Sequence, residues 1–415
     1  MIIYRSYSHT GGGPPVNLNF FSYSFSLHSL SCPLMAFRIK KVSMATVTFS
    51  AVVVWIGFYA WRVMFNNFAV EVFDASPTDV GLIQAAREIP GLLAFGVGAL
   101  ALYITESKIA ALSIITIGVG LLLCGLSPDL LMLGLATVVM SFGFHYFEPT
   151  NSSQLLMLSK SSELGRSQGK LQSWESLAGL IGAGLVLTLT LYLSFRTTFF
   201  LIGGLVSVIG LYLVAALPAN RTATEHRKIR IQKKYWLYYT LSFLRGCRRH
   251  IFTTFAIFLL VKVHHLGITE ISILMLANSA ITIFTNRWLG RASDSLGEKA
   301  VLAGCSLILV FIFCGYAFVS YLPVLIGFYI ADNILFASSI ALKSYLRKIS
   351  TPQDLTSCLA FGMTANHITA IVIPILGGIA WATFGFQTTF LAGAAIVFID
   401  MLFALKVPGQ LDGGH

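Results

Sequence analysis

The chain reads as a succession of apolar runs of about twenty residues separated by short polar turns. A bilayer core ~30 Å thick is crossed by a helix of about that length, so each run predicts a membrane-spanning helix. A closed barrel would instead need strands of roughly ten residues with alternating polarity, and these runs are too long and too uniformly apolar for that. Twelve spans are predicted, at about 46–70, 80–103, 109–127, 130–150, 171–193, 198–217, 238–262, 271–289, 299–319, 322–344, 356–382 and 387–406. The expected fold class is all-α integral membrane.

Composition agrees. The chain is 56% hydrophobic and 11% charged, with a mean hydropathy of +0.79, outside the range of soluble globular proteins. A net charge of +11 would suggest nucleic acid in a soluble protein, but its distribution explains it differently. Arg38, Lys40, Lys41, Lys160, Arg166, Lys170, Lys343, Arg347, Lys348 and the basic run at 218–235 all fall on one side of the predicted membrane. The loops on the other side hold only Arg196 and Lys262. Excess Lys and Arg marks the cytoplasmic face, so both termini are expected in the cytoplasm and the protein in the cell (inner) membrane, with no nucleic-acid partner.

The six cysteines lie mostly within spans and show no metal-ligand spacing, so they read as small apolar residues. Residues 1–34 lack the charged start of a signal peptide, whereas Met35-Ala-Phe-Arg-Ile-Lys-Lys resembles a cytoplasmic start. That stretch is expected to be disordered or untranslated. The expected organisation is an N-terminal segment 1–43, a six-helix bundle 44–217, a basic linker 218–235, a second six-helix bundle 236–407 and a short tail 408–415.

The linker divides the spans six and six, and the two halves match. RVMFNNFAV from Arg62 aligns with RHIFTTFAI from Arg249, and TDVGLI from Thr78 with TEISIL from Thr269. Gly98 aligns with Gly290, Glu163-Leu164 with Asp354-Leu355, and FRTTF from Phe195 with FQTTF from Phe386. These matches keep their order at an offset of about 190 residues, the mark of an internal repeat. An even number of spans per half gives both copies the same orientation.

On these residues the chain resembles the major facilitator superfamily over about 44–407. GRASDSLGEK, with Gly290, Asp294 and Gly297, is similar to that family's cytoplasmic loop signature and implies a gating latch in the second half. The first half departs from it, with Leu102 at the Asp position. IPILGG at 373–378, loosely echoed by GLIGAG at 179–184, is similar to part of an antiporter element, and equally suits close helix packing by small residues.

Ionisable side chains inside a span cost ~2.5–3.5 kcal/mol each on insertion scales, so they normally face a bundle interior or a wet cavity. Arg62 lies in span 1, Arg87 and Glu88 in span 2, His145 and Glu148 in span 4 and Glu175 in span 5. Span 7 carries Arg245, Arg248, Arg249 and His250, span 10 Asp332 and span 11 His367; spans 3, 6 and 9 carry none, and span 12 only Asp400. The family resemblance implies that spans 3, 6, 9 and 12 face lipid and the rest line a central cavity, which agrees.

Counting along the helices at ~1.5 Å per residue places Arg62, Arg87 and Glu88 in the outer third and Arg248, Arg249 and Asp332 near the middle. His145, Glu148, Glu175, Asn366 and His367 fall in the inner half. Were span 7 to begin after His250, its remaining apolar run would reach roughly 16 Å, about half a bilayer, so its arginines must lie inside. Arg245, Arg248 and Arg249 share one arc of the helix.

The cavity and substrate candidates are therefore Arg62, Arg245, Arg248, Arg249, Asp332, Asn366 and His367, with Asp332 the expected partner of Arg248 or Arg249. An arginine fork suits an anionic group. The proton-coupling candidates are Glu88, His145, Glu148, Glu175 and Asp332. The expected activity is secondary transport of a small organic solute, coupled to protons, by a monomer in the lipid bilayer without cofactor or metal. The alternative is a non-transporting sensor or scaffold on the same fold. No G-x-x-x-x-G-K-[ST] loop supports an ATP-driven pump, and HYFEP at 145–149 is not a zinc H-E-x-x-H helix.

Overall fold

The computed structural model describes residues 42–101, 103–159, 164–217 and 232–409. They form fifteen α-helices and no strand. The first half comprises α1 (Met44–Phe73), α2 (Pro77–Leu92), α3 (Gly96–Leu100), α4 (Glu106–Leu126), α5 (Leu130–Leu158), α6 (Leu164–Thr190) and α7 (Phe195–Ala216). The second comprises α8 (Trp236–Ile251), α9 (Ile257–Lys262), α10 (Ile268–Leu296), α11 (Glu298–Phe318), α12 (Leu322–Phe336), α13 (Ser339–Ile349), α14 (Pro352–Phe384) and α15 (Phe386–Ala404). They make twelve membrane passages, because α2 and α3, α8 and α9, and α12 and α13 each share one.

Local sequence sets the helix starts. Ser43, Thr105, Asp129, Ser194 and Thr351 each cap an N-terminus by accepting a backbone N–H three residues on. Ser76 and Asp79 form a reciprocal capping box with Pro77 in the first turn. Gly385, at φ 88°, both ends α14 and starts α15, a conformation that favours glycine. Several helices run beyond their predicted spans: α5 ends at Leu158 and α14 starts at Pro352. Hydropathy marks only the lipid-facing length, while hydrogen bonding carries the helix on into polar residues.

Among the described residues, nine helical passages are apolar and long enough to cross a bilayer on those grounds alone. Three more complete the twelve, and each is polar or interrupted. The second contains Arg87, Glu88 and an internal Pro90 before a short 3-10 turn. The seventh carries three arginines and a π-helical turn at Phe252–Ala256. The eighth is apolar only over Ile268–Ile281.

Within the first half α4 packs on α5 and α7, and α1 on α6; within the second α11 packs on α15 and α8 on α14. The halves meet where α2 lies along α14 and α10 along α6. Leu201, Leu205, Val208 and Leu211 on α7, Leu307 and Phe311 on α11 and Phe398 and Leu402 on α15 form exposed apolar faces. In a membrane protein these are the lipid-facing sides of spans 6, 9 and 12.

Contacts joining the halves gather toward the face opposite Met44 and Ala404. Lys262 pairs with Asp74, Asn67 Nδ2 donates to the Leu266 carbonyl at 2.9 Å and Thr78 Oγ1 to the Gly378 carbonyl at 3.4 Å. Small residues make this approach possible. A side chain at Gly81 would strike the backbone carbonyl of Pro374, and one at Gly378 the backbone of Pro77. The IPILGG stretch is thus part of the seam between the halves. Gly179 and Gly182 of its looser counterpart pack on Tyr59 and Ile56 of α1.

The backbone through Gly290 and Asp294 belongs to α10, and the Asp294 side chain lies outside the described residues, as do Leu102, 1–41, 218–231 and 410–415. Gly297, at φ 82°, caps α11.

Candidate functional site

Five arginines with described side chains lie inside the bundles, and their partners divide them. Arg87 pairs with Glu88 beside it, Arg248 with Asp332, and Arg245 with Asp400 at 3.2 Å. Arg62 and Arg249 have no ion pair among the described residues. Arg62 sits over the Tyr59 ring at 5.6 Å and Arg249 over the Phe336 ring at 5.0 Å, as cation–π contacts. These two are the repeat-related positions.

Arg245 and Arg248 do not line the space between the halves, contrary to the sequence expectation. Arg245 donates to Ser338 Oγ at 2.9 Å, and Ser306 Oγ donates to Asp400 at 2.6 Å. Asp332 is fully buried. The arc holding these arginines faces α11, α12 and α15 within the second bundle, because their carboxylate partners are there. Asp400, the ionisable residue of span 12, is buried and part of this network.

A small pocket does lie between the halves. Trp61, Arg62, Asn66 and Gln84 line it from the first half, and Phe252, Thr253, Ile257, Met275 and Tyr329 from the second. Asn66 and Thr253 are repeat mates, so part of the lining is related by the pseudo-two-fold; Arg62 is in the lining and its mate Arg249, three residues before Phe252, is not. The π-helical turn of span 7 contains Phe252 and Thr253, and such turns frequently lie at functional sites. Asn66 Oδ1 is buried without a hydrogen-bond partner, which suits a donor on a solute. Sequence reading missed Asn66, Gln84, Thr253 and Tyr329; the signal that could have found Asn66 and Thr253 is their place one turn after the paired arginines.

Deeper toward the termini face, Glu88, His145 and His367 converge. Glu88 Oε2 is 3.2 Å from His367 Nδ1 and 3.6 Å from His145 Nε2. The sequence count had put Glu88 at a different level from the histidines. In fact α2 begins at Pro77, three residues before the predicted start, which carries Glu88 deeper. Asn366 Oδ1 accepts from His250 Nε2 at 3.3 Å, so it braces α14 on α8. Glu148 on α5 and Glu175 on α6 are within electrostatic reach of one another, and neither has an ion pair among the described residues.

The model of the Major Facilitator Superfamily matches residues 47–239 and again 235–412, one copy per half. The chain belongs to the Major Facilitator Superfamily. Its fold is similar to that of a bacterial homologue of the human lysosomal transporter Spinster, solved inward-facing and unoccupied. The two share 14% identity at a TM-score of 0.72, over 88% of this chain and 96% of that one. It is also similar to the nucleoside transporter NupG, at 12% identity and a TM-score of 0.71, over 88% of this chain and 98% of that one. No curated protein matches the chain in sequence. This superfamily chain is therefore an integral membrane protein with a transporter fold.

Proposed function

We propose that the chain is a secondary transporter that moves a small organic anion by alternating access. The observation that carries this reading is the pairing of charges: every other described arginine inside the bundles is in direct contact with a carboxylate, while Arg62 and Arg249 contact none among the described residues. A guanidinium held in the membrane without a counter-ion is costly, and an anionic solute between the halves supplies one. Trp61, Phe252 and Tyr329 give the pocket aromatic walls, and Asn66 and Gln84 add amides for orientation.

Proton coupling belongs to the same proposal. Glu148 and Glu175 are membrane carboxylates with no basic partner among the described residues, so the pair can take up a proton and release it as its surroundings change. The Lys and Arg distribution supports cytoplasmic termini. The contacts at Asp74, Asn67 and Thr78 then close the outer face.

Reconstitution into vesicles tests this. Uptake of labelled organic anions should depend on an imposed proton gradient and vanish in Arg62→Gln and Arg249→Gln. Uptake unchanged in both variants would remove the anion site, and equal uptake with and without the gradient would remove the coupling.

A further inference from the structure

Glu88, His145 and His367 come from α2, α5 and α14, and one ligand atom from each lies within 4.8 Å of the other two. Glu88 and His145 are buried and His367 half-buried. Metal–ligand bonds of ~2.0–2.1 Å in a tetrahedral site space the donors about 3.3–3.4 Å apart. The two Glu88 distances, 3.2 and 3.6 Å, bracket that spacing.

Hydrogen-bond direction around His145 adds a second observation. The Ser141 hydroxyl gives its proton to the Arg87 carbonyl, so its oxygen is left to accept. His145 Nδ1 is 3.0 Å from that oxygen and 3.0 Å from the Ser141 carbonyl. Both neighbours are acceptors, so Nδ1 carries the proton. With neutral imidazole, Nε2 then turns its lone pair toward Glu88 Oε2 at 3.6 Å, an arrangement that a cation held between the two relieves. A histidine whose Nδ1–H is held by a backbone carbonyl and whose Nε2 is free is oriented as metal-ligating histidines are.

We infer that Glu88, His145 and His367 bind a divalent transition-metal ion through two imidazole nitrogens and one carboxylate oxygen. Imidazole with carboxylate suits zinc, iron, cobalt or nickel, whereas a thiolate-seeking ion finds no sulfur in this set. Three protein ligands leave a coordination position open to water. Arg87 holds the other oxygen of Glu88; its charge weakens the site for a dication, so the ion is exchangeable.

Glu88 and His145 belong to the first half and His367 to the second. An ion bound by all three ties α2 to α14 and arrests the rocking motion with this seam closed. The arrest rests on the transporter reading; the binding does not.

The purified full chain in detergent is titrated with Co²⁺ and then Zn²⁺. Wild type should bind one Co²⁺ per chain, with visible ligand-field absorption that Zn²⁺ displaces. His367→Ala, His367→Gln and His145→Ala should each weaken binding by at least about ten-fold, with metal-free melting curves verifying that they fold. No binding below millimolar Co²⁺, or equal binding by wild type and all folded variants, overturns the site. In vesicles, Zn²⁺ should slow wild-type uptake over the concentrations that displace Co²⁺. Binding without slowed uptake overturns the arrest and leaves the site standing.

Discussion

Arg248 donates to Asp332 in the interior of the second bundle, and the Asp332 carboxylate has no exposure to solvent. Breaking such a pair strands a buried charge, which costs about 3–5 kcal/mol, whereas replacing both partners by apolar residues of similar size can be neutral. Asp332→Asn should therefore lower the melting temperature in detergent sharply. The double variant Arg248→Met with Asp332→Leu should regain most of the loss; a double variant as unstable as the single one would refute the bracing role.

The unpaired arginines should behave oppositely. Arg62→Gln and Arg249→Gln leave no carboxylate stranded, so each should abolish uptake with little change in melting. Arg245→Gln strands Asp400 and should cost stability first. Melting curves and vesicle uptake on the same preparations separate the two classes.

The seam between α2 and α14 depends on the absence of side chains. At Gly81 a Cβ would meet the Pro374 carbonyl, a backbone atom that cannot swing aside. Gly81→Val should push the halves apart at this face. Spin labels on Asp74→Cys and Lys262→Cys should then report a longer distance than in the unsubstituted background.

Asp354, in the first turn of α14, ties down the chain that enters α8. It accepts Lys234 Nζ at 3.0 Å and the Tyr235 hydroxyl at 2.9 Å, and also accepts from Gln232. The hydrogen bond from Lys234 holds its carboxyl below the ordinary 3.8. A lowered native value means that this anchoring is complete above the ordinary value and lost only as pH falls through the native one. Asp354→Asn should raise tryptic cleavage at Lys233 and Lys234 at neutral pH. Wild type should resist cleavage by an acid-active protease at this segment until the pH falls below 3.8.

Repetition in the sequence was the most informative signal for the site. It singled out Arg62 and Arg249 as a pair, and neither makes an ion pair among the described residues. Arg245 and Arg248, which precede the aligned stretch that starts at Arg249, have internal partners instead, Asp400 and Asp332. Asp400 was hard to rank because a carboxylate near a span's end can reach water as easily as a buried partner. Convergence of Glu88, His145 and His367 had no sequence signature at all, since the three residues come from helices far apart in the chain and no spacing rule connects them.

The sequence by itself determined the membrane class, the twelve passages and the two-fold repeat, because hydrophobic length and order along the chain are set residue by residue by transfer free energy. It also determined which helices carry charge. Only the tertiary structure decided which charges neutralise one another, because an ion pair depends on how helices tilt and on which faces meet. A displacement of one helical turn exchanges a partner for a neighbour. For the same reason the seam at Gly81 and Gly378, and the meeting of one carboxylate with two histidines across it, exist only once the halves are packed together.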